Sequence, residues 1–109
     1  MSNTSVQTKK EILVIIKENQ DKIKRLGVKR IGLFGSFVRG EQDEESDIDF
    51  LVEFKQDQKT FDNFIQLSFL LENLLKRRVE LVTIESLSPY IRPYIIKEIV
   101  YASLTSRIS

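Results

Sequence analysis

The chain has 109 residues, of which 17 are basic and 16 acidic, so its net charge is +1. This length suits one domain covering 1–109, and the balanced charge gives no field for wrapping a nucleic-acid backbone. Cysteine and histidine are absent, which excludes disulfides, thiolate or imidazole metal sites and a Ser-His-Asp triad. Any catalysis must therefore depend on carboxylates, hydroxyls, Lys, Arg or a bound metal.

The start of the chain and its apolar runs bear on location. Residues 1–11 are polar and lack the apolar segment of a signal peptide. Apolar runs stay well short of the ~20 residues that span a bilayer. We therefore expect a soluble cytoplasmic protein with no membrane contact.

The first half of the chain predicts a helix, a strand and a short turn. A capping box begins at Thr8, and apolar residues at helical spacing predict one helix over Lys9–Leu26, with Gly27 as its C′ residue. Val28–Phe34 is short, apolar and β-branched, which is typical of a strand. Ser36–Gly40 has the length of one helical turn.

The second half predicts two more strands and another helix. Ile48–Phe54 alternates as a strand does, with Asp47 and Asp49 on one face. Thr60 can cap a helix that ends near the basic residues 76–78, and Val79–Ile84 predicts the third strand.

The apolar C-terminal stretch predicts a final helical region. Pro89 is placed as its first helical residue, and Pro93, one turn later, predicts a kink or a restart. Core packing is the expected role of the isoleucines, whereas the tyrosines could serve the core or a partner surface. These residues are Ile95, Ile96 and Ile99, and Tyr90, Tyr94 and Tyr101. The order of elements implies an α/β fold, a small mixed β-sheet packed by two or three helices.

Two carboxylates stand at the start of the second predicted strand. Asp47 and Asp49 are two apart, so both project from one face, where they repel each other unless a proton or a cation intervenes. Hard cations such as Mg²⁺ prefer oxygen ligands and often combine one or two carboxylates with substrate phosphates. The pair is therefore a candidate Mg²⁺ site, and the alternative is a polar strand entrance in an acidic, solvated loop.

A Gly-Ser pair follows the first predicted strand directly. Gly35 has no Cβ, so backbone N–H groups there can approach a phosphate, and the Ser36 hydroxyl could donate to a phosphate oxygen. The alternative is an ordinary exit from a strand into a turn. Ten residues separate Ser36 from Asp47, enough for one helical turn and the return into the second strand.

A third carboxylate, Glu80, lies among apolar residues in the third predicted strand, where an unpaired charge is costly. Two explanations stay open on physical grounds. Glu80 could form an ion pair at a sheet edge with Arg77, Arg78 or a lysine. It could instead join Asp47 and Asp49 at a metal.

Together these residues resemble the signature of the DNA polymerase β-type nucleotidyltransferase superfamily: Gly35-Ser36, ten residues, then Asp47-x-Asp49. The fuller run, GSFVRG…SDIDFLVEF with VELVT and LSPYIRPYIIKEIVYA, is similar to the minimal nucleotidyltransferases, or MNT domains, over roughly residues 31–102. The resemblance implies a nucleotidyltransferase fold like the polymerase β palm.

The resemblance also implies roles for the site residues. The pair matching Asp47 and Asp49 holds two Mg²⁺ ions, and the third carboxylate, usually Asp and here Glu80, assists the metal that activates the incoming hydroxyl. The matching Gly-Ser contacts the β- and γ-phosphates of the nucleotide. Arg39 either steadies the triphosphate or is a surface residue paired with Glu41.

Members of the MNT family are encoded beside HEPN-domain proteins, with which they form toxin–antitoxin pairs. The resemblance implies an antitoxin that transfers AMP from ATP to a tyrosine of a HEPN-type RNase toxin and releases pyrophosphate. Neutralisation by binding alone is one alternative, and a small-molecule nucleotidyltransferase is another. No direct contact with nucleic acid is expected.

Overall fold

A computed structural model describes Val6, residues 8–102 and Leu104. Most of the polar N-terminal stretch, residues 1–5 and 7, lies outside the described residues. The helices are α1 (Lys9–Glu18), α2 (Gln20–Arg25), α3 (Ser36–Arg39), α4 (Phe61–Leu75) and α5 (Arg92–Glu98). The strands are β1 (Val28–Phe34), β2 (Ile48–Phe54), β3 (Val79–Thr83) and β4 (Val100–Tyr101).

The described strands form one mixed sheet in the order β3-β2-β1-β4. β1 pairs antiparallel with β2 and with β4, and β2 pairs parallel with β3. Helix α4 connects the two parallel strands and packs against β3 and α1. The predicted fold, a small mixed sheet packed by helices, is confirmed.

The predicted helix Lys9–Leu26 is in fact two helices that meet at Asn19. The Asn19 side chain donates from Nδ2 to the Ile15 carbonyl over 2.8 Å, and its backbone has φ −112° and ψ 21°. A side-chain amide that bonds the preceding turn competes with the helix ladder, which accounts for the break. The capping box at Thr8 and the C′ position of Gly27 are confirmed.

The central elements agree closely with the sequence. β1, β2 and the turn at α3 have the predicted bounds, and Thr60 caps α4 by accepting the Asn63 N–H over 3.1 Å. β3 ends at Thr83, one residue before its predicted end, because Ile84–Ser86 form a 3₁₀ turn. These elements place the ends of β1 and the start of β2 side by side.

The C-terminal prediction was partly wrong. The helix begins at Arg92 instead of Pro89, so of the two alternatives at Pro93 the restart is present and the kink is not. Pro93 lies in the first turn, where its missing N–H costs nothing. The chain then leaves the helix at Ile99 and forms β4, a strand that sequence analysis did not predict.

The core lies between the sheet and the helices α1, α2 and α4. It includes Ile12, Ile16, Ile23, Leu33, Phe50, Leu67 and Leu71, with Phe37 of α3. The expected core role of the late isoleucines was wrong for Ile96, which is 47% exposed, while Ile95 and Ile99 are partly buried. None of the helices within the described residues has the length and apolar character needed to cross a membrane.

Candidate active site

The Asp49 carboxylate lies against the backbone of Gly35. Asp49 pairs with Phe34 across β1 and β2, so the next residue, Gly35, comes over the Asp49 side chain. A Cβ built on Gly35 would be 2.2 Å from Asp49 Oδ2, and Gly35 has φ +86°, a conformation that L side chains rarely adopt. Only glycine fits here, and the structure brings the Gly-Ser turn and the acidic strand together as the spacing predicts.

Three acidic residues lie near the start of β2: Asp47, Asp49 and Glu80. Glu80 is the register partner of Asp49 across the parallel strands. Burial, the negative charges of Glu80 and Asp47, and a hydrogen bond with Glu80 together raise the pKa of Asp49 to about 6, although the Arg39 guanidinium acts in the opposite direction. Within the described residues no ion pair joins Glu80 to Arg77 or Arg78. The geometry therefore favours the second explanation for Glu80, a place beside the other two carboxylates.

The donor chemistry of this cluster suits a hard cation. Among the described residues, no three acidic side chains stand close enough to form a ready metal cage. The repulsion that raises the Asp49 pKa is nevertheless the kind that a divalent cation relieves, and all the donors are carboxylate oxygens. Asp47 and Asp49 are the residues that would hold Mg²⁺, with Glu80 beside them.

The turn offers the Gly35 N–H and the Arg39 guanidinium as hydrogen-bond donors. Both bind the carboxylate of Glu98, a residue that sequence analysis missed. The Gly35 N–H donates to Glu98 Oε2 over 2.8 Å. Arg39 Nη1 lies 3.2 Å from both Glu98 oxygens, and Arg39 Nε donates to Glu41 Oε1 over 2.9 Å. The Arg39–Glu41 pair, one of the two alternatives for Arg39, is present, and the turn also holds the carboxylate of Glu98.

Ser36 is the first residue of α3 and is partly buried. Its carbonyl accepts the Glu41 N–H over 2.9 Å, which closes the turn toward the acidic loop. The hydroxyl contact with a phosphate oxygen stays a prediction.

Comparison with known proteins agrees with this geometry. Residues 10–102 match the family model of the nucleotidyltransferase domain. The chain belongs to this nucleotidyltransferase family. A relative at 42% identity over 95 residues is the protein adenylyltransferase MntA of Thermococcus cleftensis, and the match covers 86% of this chain and 95% of that protein.

Solved structures show the same nucleotidyltransferase fold. One, described as a minimal nucleotidyltransferase, has a TM-score of 0.67 and 33% identity and covers 81% of this chain and 93% of that chain. Another, a toxin–antitoxin complex with AMP-PNP, has a TM-score of 0.60 and 27% identity and covers 78% and 73%. The expected resemblance to minimal nucleotidyltransferases is confirmed, and so is the assignment to a nucleotidyltransferase enzyme.

In this nucleotidyltransferase a cleft of about 400 Å³ opens beside the turn. One wall carries Gly35, Arg39 and Asp49, and α5 supplies the opposite wall with Tyr94 and Ile95. Polar groups of the turn thus face an apolar surface with an exposed aromatic ring, a combination that suits a nucleotide.

Arg77 is the second functional residue that sequence reasoning missed. Its guanidinium donates to the carbonyls of Ser46 over 2.9 Å and Val6 over 2.8 Å, and also to the Asp43 carbonyl. It also stacks over the Phe37 ring, 4.9 Å from the centroid. Arg77 therefore fixes the loop that leads into Asp47. No local pattern marks this role, because the contacts with Ser46 and Asp43 join the end of α4 to a loop more than 30 residues earlier.

Proposed function

We propose that this protein is a Mg²⁺-dependent protein adenylyltransferase of a toxin–antitoxin pair, which transfers AMP from ATP to a tyrosine of a HEPN-type RNase toxin. The observation that carries the proposal is the contact of the Gly35 backbone with the Asp49 carboxylate. It sets phosphate-binding donors directly beside carboxylates that suit a metal.

The donors of the turn fit the β- and γ-phosphates. Gly35 offers its N–H, Ser36 its hydroxyl and Arg39 its guanidinium, and backbone N–H groups and arginine are the groups that bind phosphate best. With the outer phosphates held there, the α-phosphate lies toward Asp47 and Asp49. The exposed ring of Tyr94 is placed to contact the nucleoside.

The carboxylates serve the reacting end. Mg²⁺ held by Asp47 and Asp49 would supply positive charge to the phosphates as the bond to pyrophosphate breaks. The tyrosine oxygen attacks the α-phosphorus, and pyrophosphate leaves. AMP is then esterified to the tyrosine oxygen, and the proton of the tyrosine hydroxyl must be removed. Glu80 is the most exposed of the three carboxylates and hydrogen-bonds to Asp49, so it can take up this proton and release it to solvent.

The relatives support a protein as the acceptor of AMP. The 42% identical protein is named a protein adenylyltransferase, and the 27% identical solved neighbour is a toxin–antitoxin complex with AMP-PNP. A net charge of +1 offers little attraction to a nucleic-acid acceptor, which favours a protein. The reaction would take place in the cytoplasm, where ATP and an RNase toxin are both present.

The test uses ATP labelled at the α-phosphate, Mg²⁺ and the toxin encoded beside the gene. We expect label on a toxin tyrosine, lost on addition of EDTA and absent with Asp47→Asn combined with Asp49→Asn. Label transfer that survives the double substitution would rule out the proposed site. Exposed Glu45→Gln is a matched control in the same acidic loop and should transfer label normally.

A second function, neutralisation by binding alone, is favoured by two observations. The described acidic residues include no ready group of three for a metal, and Glu80 stands where the family usually has Asp. Under this alternative the doubly substituted protein still protects cells from the toxin. Under the proposed function it binds the toxin but no longer protects.

A further inference from the structure

The Glu98 carboxylate is hydrogen-bonded to the groups that are proposed to bind phosphate, the Gly35 N–H and the Arg39 guanidinium. The Gly35 N–H donates to Glu98 Oε2 over 2.8 Å, and Arg39 Nη1 lies 3.2 Å from each Glu98 oxygen. We propose that Glu98 is an intramolecular competitor of the nucleotide, which occupies these donors until a polyphosphate displaces it. The inference rests on the proposed function, because it concerns the triphosphate part of that site.

The two anions exclude each other at Gly35. A backbone amide has one N–H, and at 2.8 Å the Glu98 oxygen already makes a full hydrogen bond with it. A phosphate oxygen can reach this hydrogen only after the carboxylate withdraws. At Arg39 the competition is partial, because Nη1 lies against Glu98 and Nε donates to Glu41, while a guanidinium has five N–H donors.

The element that carries Glu98 is lightly anchored. None of the seven residues of α5, all of which the structure describes, is buried, and Tyr94 is 75% exposed. Segments with few buried apolar contacts open at low free-energy cost. The chain after α5 is held better, because Ile99 packs onto Gly32 and the Ala102 N–H donates to the Ile31 carbonyl over 2.9 Å. α5 can therefore move while β4 stays paired.

The contact between Glu98 and Arg39 can compete with a phosphate group, but it is too weak to prevent nucleotide binding. The side chain of Arg39 is 48% exposed and that of Glu98 is 23% exposed, and exposed ion pairs are weak because water screens them. A triphosphate carries several charges and offers oxygens to both donors at once. Removal of the Glu98 charge should therefore tighten nucleotide binding about three- to tenfold.

The test compares the full-length protein with Glu98→Gln, which keeps the size of the side chain and removes its charge. The probes are α,β-methylene-ATP with Mg²⁺, which cannot transfer AMP, and tripolyphosphate, which has no nucleoside. Calorimetry should give a Kd three- to tenfold lower for Glu98→Gln with both probes. The Gly35 amide signal in ¹H–¹⁵N spectra should shift in the variant without ligand, while core amide signals stay in place.

Glu41→Gln is the matched control, because Glu41 pairs with Arg39 but does not contact Gly35. We expect it to change the Kd less than twofold. An equal gain in affinity in both variants would mean that any negative charge near Arg39 weakens binding. That result would overturn the specific role of Glu98. Glu98→Ala provides a second variant and should bind at least as tightly as Glu98→Gln.

Two other outcomes separate the inference from the proposed function. If the unchanged protein binds the nucleotide but Glu98→Gln binds it equally or less tightly, Glu98 does not compete and the inference fails alone. If neither protein binds either probe, the proposed nucleotide site fails, and the inference fails with it.

Discussion

The Asp49 carboxylate and the Gly35 backbone are in direct contact, so closely that a Cβ on residue 35 would be 2.2 Å from Asp49 Oδ2. This contact joins the end of β1 to the start of β2, which carry the two halves of the candidate site. It arises because the register places Phe34 opposite Asp49. A change at Gly35 should therefore affect the acidic strand directly.

Gly35→Ala should abolish label transfer and lower the free energy of unfolding. Gly35 has φ +86° and ψ −154°, a region essentially confined to glycine, which costs about 1–3 kcal/mol for an L residue, and the collision with Asp49 adds to it. Gly40→Ala is a matched control, since Gly40 has φ +75° but no atom within 4 Å of its built Cβ. Urea unfolding should show a smaller loss for Gly40→Ala, and transfer should persist. Equal effects of the two substitutions would show that backbone strain, and not contact with Asp49, matters at residue 35.

The stability of the metal-free protein should depend on pH through Asp49. Its folded-state pKa is about 6, against an ordinary 3.8, so the folded state holds this proton more tightly than the unfolded state. The free energy of unfolding therefore falls as the pH rises from about 4 to about 6. Asp49→Asn should raise the Tm in EDTA at about pH 8 and change it little at about pH 4.

The control for this pH dependence is Glu45→Gln, which also removes one negative charge but from an exposed side chain. Its effect on the Tm should be similar at both pH values. A lower Tm for Asp49→Asn at the higher pH would contradict the view that Asp49 is held at a cost to stability.

Substitution of Glu80 should change the rate of AMP transfer more than the free energy of unfolding, because the Glu80 side chain is exposed. Glu80→Gln removes a charge beside Asp49 and should slow single-turnover transfer roughly 10²-fold, the scale on which one charged or donor group acts in a site. Glu80→Asp keeps the charge and should lose less activity. If Glu80→Gln transfers at the normal rate, Glu80 is only a neighbour of the site.

Arg77→Met should reduce both stability and transfer. The substitution keeps an unbranched chain over Phe37 but leaves the carbonyls of Ser46 and Val6 without their donor. The expected loss is about 1–3 kcal/mol in the free energy of unfolding, with a lower kcat because the loop before Asp47 is less fixed. Arg78→Met is the adjacent control and should change both quantities less, since the guanidinium bonds to Ser46 and Asp43 come from Arg77.

The parts of the fold that the sequence predicts are those with a local cause. β1, α3 and β2 have the predicted bounds because β-branched runs and glycines mark them, and Thr60 marks the start of α4. The break at Asn19 was missed because it depends on a side-chain bond to Ile15 that competes with an otherwise continuous helical pattern.

The C-terminal region could not be predicted because its structure depends on distant partners. β4 exists through pairing with Gly32 and Leu33. Val and Tyr favour strands, but a run of two residues, Val100–Tyr101, is too short to predict one. The Glu98 contact joins residues 63 apart and needs the turn at Gly35 to form first. The motif residues of the site were identified from spacing, whereas Glu98 and Arg77 became visible only in the folded chain.

The most direct test of the central claim is a crystal structure with α,β-methylene-ATP and Mg²⁺. We expect the outer phosphates to bind at Gly35, Ser36 and Arg39. Mg²⁺ should be held by the carboxylates of Asp47 and Asp49, next to the α-phosphate. Another cleft, of about 480 Å³, lies beside α1, and its lining includes Lys9, Lys10 and Lys17. A triphosphate bound among those lysines, with the turn at Gly35 still held by Glu98, would contradict the account.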